Sequence, residues 1–272
     1  MSCGLVGLVG EQLAKVRAAA PLVHNITNFV VMQHTANALL ALGASPVMAH
    51  AQEEVEEIAG IASALVLNIG TLSPAWVAAM HLALKTAQSR GIPVVIDPVG
   101  AGASRYRTHT ALELLRAAKG CLLRGNASEV LALAGEGGTT RGVDSTALSH
   151  SALGAARVLA ARHDCTVCIS GVVDIIVQPG GGVFQVEGGH PLMCRVTGMG
   201  CTASALAGAF AATAADGSLA AMSAMAVMAA AGSIAARKAD GPGTFVPHFL
   251  DALYGLKAAD VARLVRVVAA AG

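Results

Sequence analysis

Short apolar runs alternate with longer stretches of helical period along this chain. The runs SPVMA (45–49), ALVLNI (64–69), PVVID (93–97), CLLR (121–124) and TVCIS (166–170) are hydrophobic on both faces. That is the pattern of strands covered on both sides in a largely parallel sheet. The intervening helical stretches carry their own punctuation: Ser73 followed by Pro74 opens one, and Gly91 closes it just before the next strand. Repeated strand and helix units predict an α/β layer fold. A hairpin, DIIVQ (174–178), PGGG, then VFQVEG (183–188), interrupts the alternation, and a helical C-terminal block follows. No linker, low-complexity segment or internal repeat divides the pattern, so residues 1–272 read as one domain.

Composition sharpens this. Of 272 residues 54% are hydrophobic and 13% charged, about half the usual quarter, so the chain buries a large core and is not disordered. A net charge of +1 with 3% aromatic residues lacks both the basic excess and the stacking platform of nucleic-acid binding. So little charge predicts that apolar surface is covered by another subunit. The mean hydropathy is +0.62, and residues 196–215 and 217–236 carry no charge. Both are mostly Ala, Gly, Ser and Thr, whereas a membrane span needs ~20 predominantly apolar residues, so both are expected to be buried helices. Glu11 interrupts the apolar run near the N-terminus and no basic segment precedes it, so no secretory signal is expected and the compartment is the cytoplasm. Six cysteines are too sparse for a disulfide scaffold. Cys165 and Cys168 form a C-x-x-C within a strand pattern, where residues three apart point to opposite faces, against a zinc or redox role.

In such sheets ligands bind beyond the carboxyl ends of the strands. There PVVID runs into PVGAGAS (98–104), CLLR into GNASE (125–129), and the hairpin into VTGMGC (196–201). Gly198 and Gly200 would let backbone N–H groups approach a phosphate at a helix N-terminus; they serve close packing equally well. No G-x-x-x-x-G-K-[ST] P-loop occurs. Cys201, in the first turn of that helix, stands where a thiol's pKa is lowered, or is simply a small residue at a helix start. Asn126 and Glu129 form an N-x-x-E that serves equally well as a capping box for the helix after CLLR. Asp97 ends an apolar strand, where an unpaired carboxylate is costly; with Glu129 it could hold Mg²⁺. The run EEVEE (53–57) reads as a solvated helix face, and Met222, Met225 and Met228 as packing filler.

Taken in order, HNITN (24–28), LLALGASPVMAHAQEEVEEIA (39–59), LVLNIGTL (65–72), DPVGAGAS (97–104), RGNASE (124–129), GVDS (142–145), GHPLM (189–193), VTGMGC (196–201) and GPGTF (241–245) closely resemble the hydroxyethylthiazole kinase family over nearly the whole chain. The resemblance implies a ribokinase-like α/β fold, a largely parallel sheet with helices on both faces. It also implies transfer of the γ-phosphoryl of ATP, with Mg²⁺, to the primary alcohol of 5-(2-hydroxyethyl)-4-methylthiazole in thiamine salvage. A homotrimer with sites between subunits is implied as well. Residue by residue, Asn25, Met48 and Gly198 would contact the thiazole alcohol. Arg124, Ser170 and Asn126 would bind ATP, and Asp97 and Glu129 would hold Mg²⁺. Cys201 would stand where many ribokinase-like enzymes carry an aspartate base.

Two positions depart from the family pattern: many members have Thr at 170, and a small residue or Thr at 199, where this chain has Ser170 and Met199. Related hydroxymethylpyrimidine kinases and hydrate dehydratases would carry Asp at position 201 and would not explain HNITN or SPVMAHA. A binder without activity would have lost Asp97, Glu129 or Cys201.

Overall fold

The computed structural model describes residues 2–135 and 145–270. One sheet of nine strands runs through them in the order β2-β1-β3-β4-β5-β6-β7-β8-β9. The strands β1 (Leu22–Ile26), β2 (Ser45–Val47), β3 (Ala64–Asn68), β4 (Val94–Asp97), β5 (Leu122–Asn126) and β6 (Thr166–Ser170) are parallel. The hairpin β7 (Val173–Val177) and β8 (Val183–Glu187), with β9 (Arg266–Ala270), adds antiparallel pairs at one edge. All five apolar runs form strands. Two strands lie outside the expected set: β1, whose HNI carries buried polar groups, and β9, which ends the C-terminal block in a strand.

Helices cover both faces, as the double-sided hydrophobicity requires. On one face pack α1 (Ser2–Ala19), α2 (Met32–Leu42), α8 (Met199–Ala211), α9 (Gly217–Ala236), α10 (Pro242–Gly255) and α11 (Ala258–Leu264). The other carries α3 (Val55–Ile61), α4 (Pro74–Arg90), α5 (Arg105–Ala117), α6 (Ala127–Ala134) and α7 (Ser145–His163). Alternate strand residues divide accordingly: Val66, Val95 and Leu122 join the first core and Leu67, Ile96 and Leu123 the second. The C-x-x-C pair divides the same way, with Cys168 in the first core and Cys165 in the second.

The uncharged stretches become α8 and α9. By length and composition α9 could cross a membrane, yet 78% of its apolar window is buried inside the protein; a helix apolar all round belongs in a core. Gly208 lets α8 lie flat on the sheet, because a Cβ there would come within 2.5 Å of Val66 Cγ2.

Helix starts are capped as the sequence indicates. Ser73 Oγ accepts the Trp76 N–H at 3.2 Å at the head of α4, and Gly91 closes that helix in the left-handed conformation, φ 67°. A short 3-10 helix (Pro191–Arg195) links the hairpin to the glycine loop before α8. Of the GVDS block, residues 142–144 lie outside the described residues.

Candidate active site

The carboxyl ends of the parallel strands bring the predicted residues to one end of the sheet. Register places Asn68 of β3 beside Asp97 of β4, and Asn126 of β5 beside Ser170 of β6. Asp97 is 1% exposed. Its Oδ2 accepts hydrogen bonds from Asn68 Nδ2 at 2.8 Å and Ser204 Oγ of α8 at 2.7 Å, and Arg124 Nη1 stands 3.9 Å away. Its Oδ1 is buried and has no partner among the described residues. Burial raises the Asp97 pKa from 3.8 to about 6, with Arg124 opposing and Glu129 adding to the rise.

Glu129 forms the capping box at the head of α6. Its Oε2 accepts the Asn126 N–H at 2.8 Å, while Asn126 Oδ1 accepts the Glu129 N–H at 3.0 Å. The other oxygen, Oε1, accepts the Gly100 N–H at 2.9 Å and so pins the PVGAGAS loop to the same corner. Cap and loop brace are thus one carboxylate. A free, buried oxygen on Asp97, with a second carboxylate, Glu129, near enough to raise its pKa, is a donor set that suits Mg²⁺, which takes one or two carboxylates and completes its shell with waters and phosphate oxygens.

Arg124 is buried, and its Nη2 donates to Ser170 Oγ at 2.5 Å. Burial works against its charge, but Asp97 foremost, then Cys168, Glu129 and Asp174, raises the guanidinium pKa. It lies at the wall of a cavity of about 600 Å³ lined also by Asn126, Ser170, Asp174, Gly198 and Gly200. Gly200 leaves room for the guanidinium, because a Cβ there would sit 2.7 Å from Arg124 Nη1 and force it to shift. Gly198, at the N-cap of α8, has φ 85° and abuts Val31. Met225 and Met228 fill the core, and they also form the apolar wall of this cavity.

Cys201 is the third residue of α8. The expected lowering of its thiol pKa does not hold. Burial raises it and the Asp97 carboxylate raises it further; the Asn68, Asn28 and Arg124 side chains pull the other way without reversing the shift. Burial and a neighbouring anion therefore outweigh the partial charge of the helix N-terminus. Asn28 Nδ2 approaches Cys201 Sγ at 3.4 Å and donates to Asn68 Oδ1 at 2.8 Å. A continuous chain runs from Cys201 through Asn28 and Asn68 to Asp97.

Asn25 lies within β1 and Met48 follows β2, and neither lines the Arg124 cavity. Asn25 is buried, its Nδ2 donates to the Val23 carbonyl at 2.9 Å, and its Oδ1 is buried without a partner among the described residues.

Sequence reasoning missed Asn28, Asn68, Ser204 and Asp174. Asp174 is buried beside Arg124; burial pushes its pKa to about 7, and its Oδ1 accepts the Gly171 N–H at 3.0 Å. A polar residue closing an apolar run, as Asn68 closes ALVLN, was a readable signal.

The model of the Hydroxyethylthiazole kinase family matches residues 13–259. A relative from Oleidesulfovibrio alaskensis, hydroxyethylthiazole kinase, is 57% identical over 263 residues, 96% of this chain and 97% of the relative. The structure of the hydroxyethylthiazole kinase protein from Pyrococcus horikoshii OT3 is similar with a TM-score of 0.89 and 42% identity, covering 97% of this chain and 100% of that one. The pyridoxal kinase from Staphylococcus aureus in complex with AMP-PCP and pyridoxal shares the fold at a TM-score of 0.67 and 17% identity, covering 92% of this chain and 99% of that one.

Proposed function

The chain belongs to the hydroxyethylthiazole kinase family, and from that premise we propose how the residues at the carboxyl end of its sheet perform the reaction. The activity is phosphorylation of the primary hydroxyl of 5-(2-hydroxyethyl)-4-methylthiazole in thiamine salvage, with ATP as co-substrate.

ATP occupies the cavity walled by Arg124, Asn126 and Ser170, with the Arg124 guanidinium against the phosphates and its Ser170 hydrogen bond fixing the fork. Asn25 and Met48 contact the thiazole alcohol, and the Gly198 backbone lies near its hydroxyl. Asp97, through the free Oδ1, and Glu129, whose two oxygens also accept N–H groups, would hold Mg²⁺. Bound there, Mg²⁺ would neutralise phosphate charge. Asn68 and Ser204 both bind Oδ2 and leave Oδ1 uncommitted. The substrate oxygen attacks the γ-phosphorus, the bond to the β-phosphate oxygen breaks, and the hydroxyl proton passes to the Cys201 thiolate. Phosphoryl transfer depends chiefly on positioning and charge neutralisation, so the small thiolate fraction left by the raised pKa suffices as acceptor.

The observation that carries this reading is the Asp97 carboxylate, held on one oxygen, free on the other, and linked through Asn68 and Asn28 to Cys201 while facing Arg124. We read residues 1–272 as one kinase domain working in the cytoplasm as a homotrimer with sites between subunits. The exposed Val30, Leu40 and Ile61 support the apolar contact, and light scattering of the active enzyme tests it. A coupled ADP-release assay tests the reaction: the thiazole alcohol should turn over and hydroxymethylpyrimidine should not.

A further inference from the structure

Aromatic side chains make up 3% of the chain, which has a single tryptophan, yet three rings gather at one place. His50 and Trp76 stack with centroids 4.0 Å apart and planes 11° from parallel. Phe29 meets Trp76 edge-on, at 4.6 Å and 70°. The three follow β1, β2 and β3 respectively, so they rise from the end of the sheet that carries Asn28, Asn68 and Cys201.

Each ring is tied to that end. Phe29 is next in sequence to Asn28, whose amide reaches Cys201 Sγ, and its own N–H donates to Thr71 Oγ1 at 3.2 Å. His50 Nδ1 lies 3.3 Å from the carbonyl oxygen of Met48. Trp76 stands in the first turn of α4, three residues after its cap. Two features set the cluster apart from finished packing. Phe29 is 65% exposed, an unusual state for a ring already in contact with another. Trp76 is 6% exposed, and its indole N–H is buried without a partner among the described residues, whereas buried indole N–H groups usually find one.

We propose that Phe29, His50 and Trp76 form an aromatic wall that receives the flat heterocycle of the substrate and sets specificity for an aromatic ring on the alcohol. The proposal rests on the reading that the Cys201 and Asp97 site phosphorylates the thiazole alcohol. Aromatic rings prefer edge-to-face and offset contacts, and a ring sulfur adds favourable contacts at aromatic edges. An aliphatic alcohol of similar size offers the same hydroxyl to Cys201 and forgoes these contacts.

Because Trp76 is the single tryptophan, its emission reports on one place in the intact protein. The thiazole alcohol, titrated without nucleotide, should change that emission saturably, and a comparable aliphatic primary alcohol should not. Phe29→Ala, at an exposed position that folding does not depend on, should raise the KM for the thiazole alcohol roughly three- to tenfold, the range that one aromatic contact supplies. It should leave the KM for ATP in place, and Phe29→Tyr should restore the wild-type value. Trp76→Phe should abolish the emission signal, which assigns the signal to that one residue. Emission indifferent to the thiazole alcohol in a sample that phosphorylates it, or an unchanged KM in Phe29→Ala, would overturn the proposal. A sample with no turnover of the thiazole alcohol would overturn the substrate reading, and the wall with it; reading turnover and emission on one sample separates the two failures.

Discussion

The side-chain amide of Asn28 presents its Nδ2 to Cys201 Sγ at 3.4 Å, and this orientation is fixed from behind. Asn28 Oδ1 accepts the Val30 N–H at 3.2 Å, and Asn68 Oδ1 accepts the Gly70 N–H at 2.9 Å. Backbone donors can only face carbonyl oxygens, so both amides must turn their NH₂ groups inward, one to the sulfur and one to Asp97. The sulfur is therefore an acceptor in this network, which favours its thiolate.

Asn28→Ala removes that donor. The kcat profile against pH should move to the alkaline side, and kcat near neutrality should fall about tenfold, within the range of a hydrogen bond to a charged group. A profile superimposable on wild type would assign Asn28 to packing alone.

Cys201→Ala should lower kcat by roughly 10 to 10³-fold with little change in the KM for ATP, the loss expected of a general base. Because burial and Asp97 hold the thiol's pKa up, the wild-type rate should keep rising on the alkaline side of neutrality. Cys201→Asp should retain activity with a flatter profile, a carboxylate being ionised at lower pH. Steady-state kinetics across pH in the three proteins decides this, and full activity in the Ala variant returns Cys201 to a structural role.

Asp97 stores instability. Its folded pKa of about 6 exceeds the ordinary 3.8, so the folded state binds the proton more tightly than the unfolded one. Its contribution to stability is present below the unfolded pKa and is lost as pH rises through about 6. By pH 7.5 the cost is of order 3 kcal/mol. Asp97→Asn should therefore melt several degrees higher than wild type at pH 7.5, with the difference shrinking toward pH 4, while kinase activity collapses. Mg²⁺ should raise the Tm of wild type and not of the Asn variant. Scanning calorimetry at the two pH values checks the sign; a lower Tm for the Asn variant at pH 7.5 would show the charge to be well satisfied.

Gly200→Ala should disturb nucleotide binding before the fold. The added Cβ would stand 2.7 Å from Arg124 Nη1, displacing the guanidinium from Ser170. The expected outcome is a KM for ATP raised about tenfold with an unshifted KM for the thiazole alcohol. Ser170→Ala should do the same more mildly and Ser170→Thr should not, because the hydroxyl survives.

The layer fold was legible because its five apolar runs are covered on both faces, and the caps at Ser73, Asn126 and Gly91 were legible from residue type alone. β1 was obscured by His24 and Asn25, polar groups buried inside a strand, and β9 by an alanine-rich run that suits a helix as readily. At the site, Asp97, Glu129, Arg124 and Cys201 stood out because carboxylates, a guanidinium and a thiol at strand or helix ends need a reason. Asn28, Asn68 and Ser204 are neutral, and their role exists only through partners brought together from β1, β3 and α8. The Cys201 shift was misread for a related cause: sequence gives the helix terminus but not the depth of burial or the approach of Asp97.

The most direct test follows the phosphoryl group itself. Incubated with γ-labelled ATP, Mg²⁺ and 5-(2-hydroxyethyl)-4-methylthiazole, the protein should place the label on the primary hydroxyl of the thiazole alcohol, one product per ADP formed, and Asp97→Asn should abolish the transfer. Label released only as inorganic phosphate with the alcohol unchanged, or transferred at the wild-type rate by Asp97→Asn, would contradict the account.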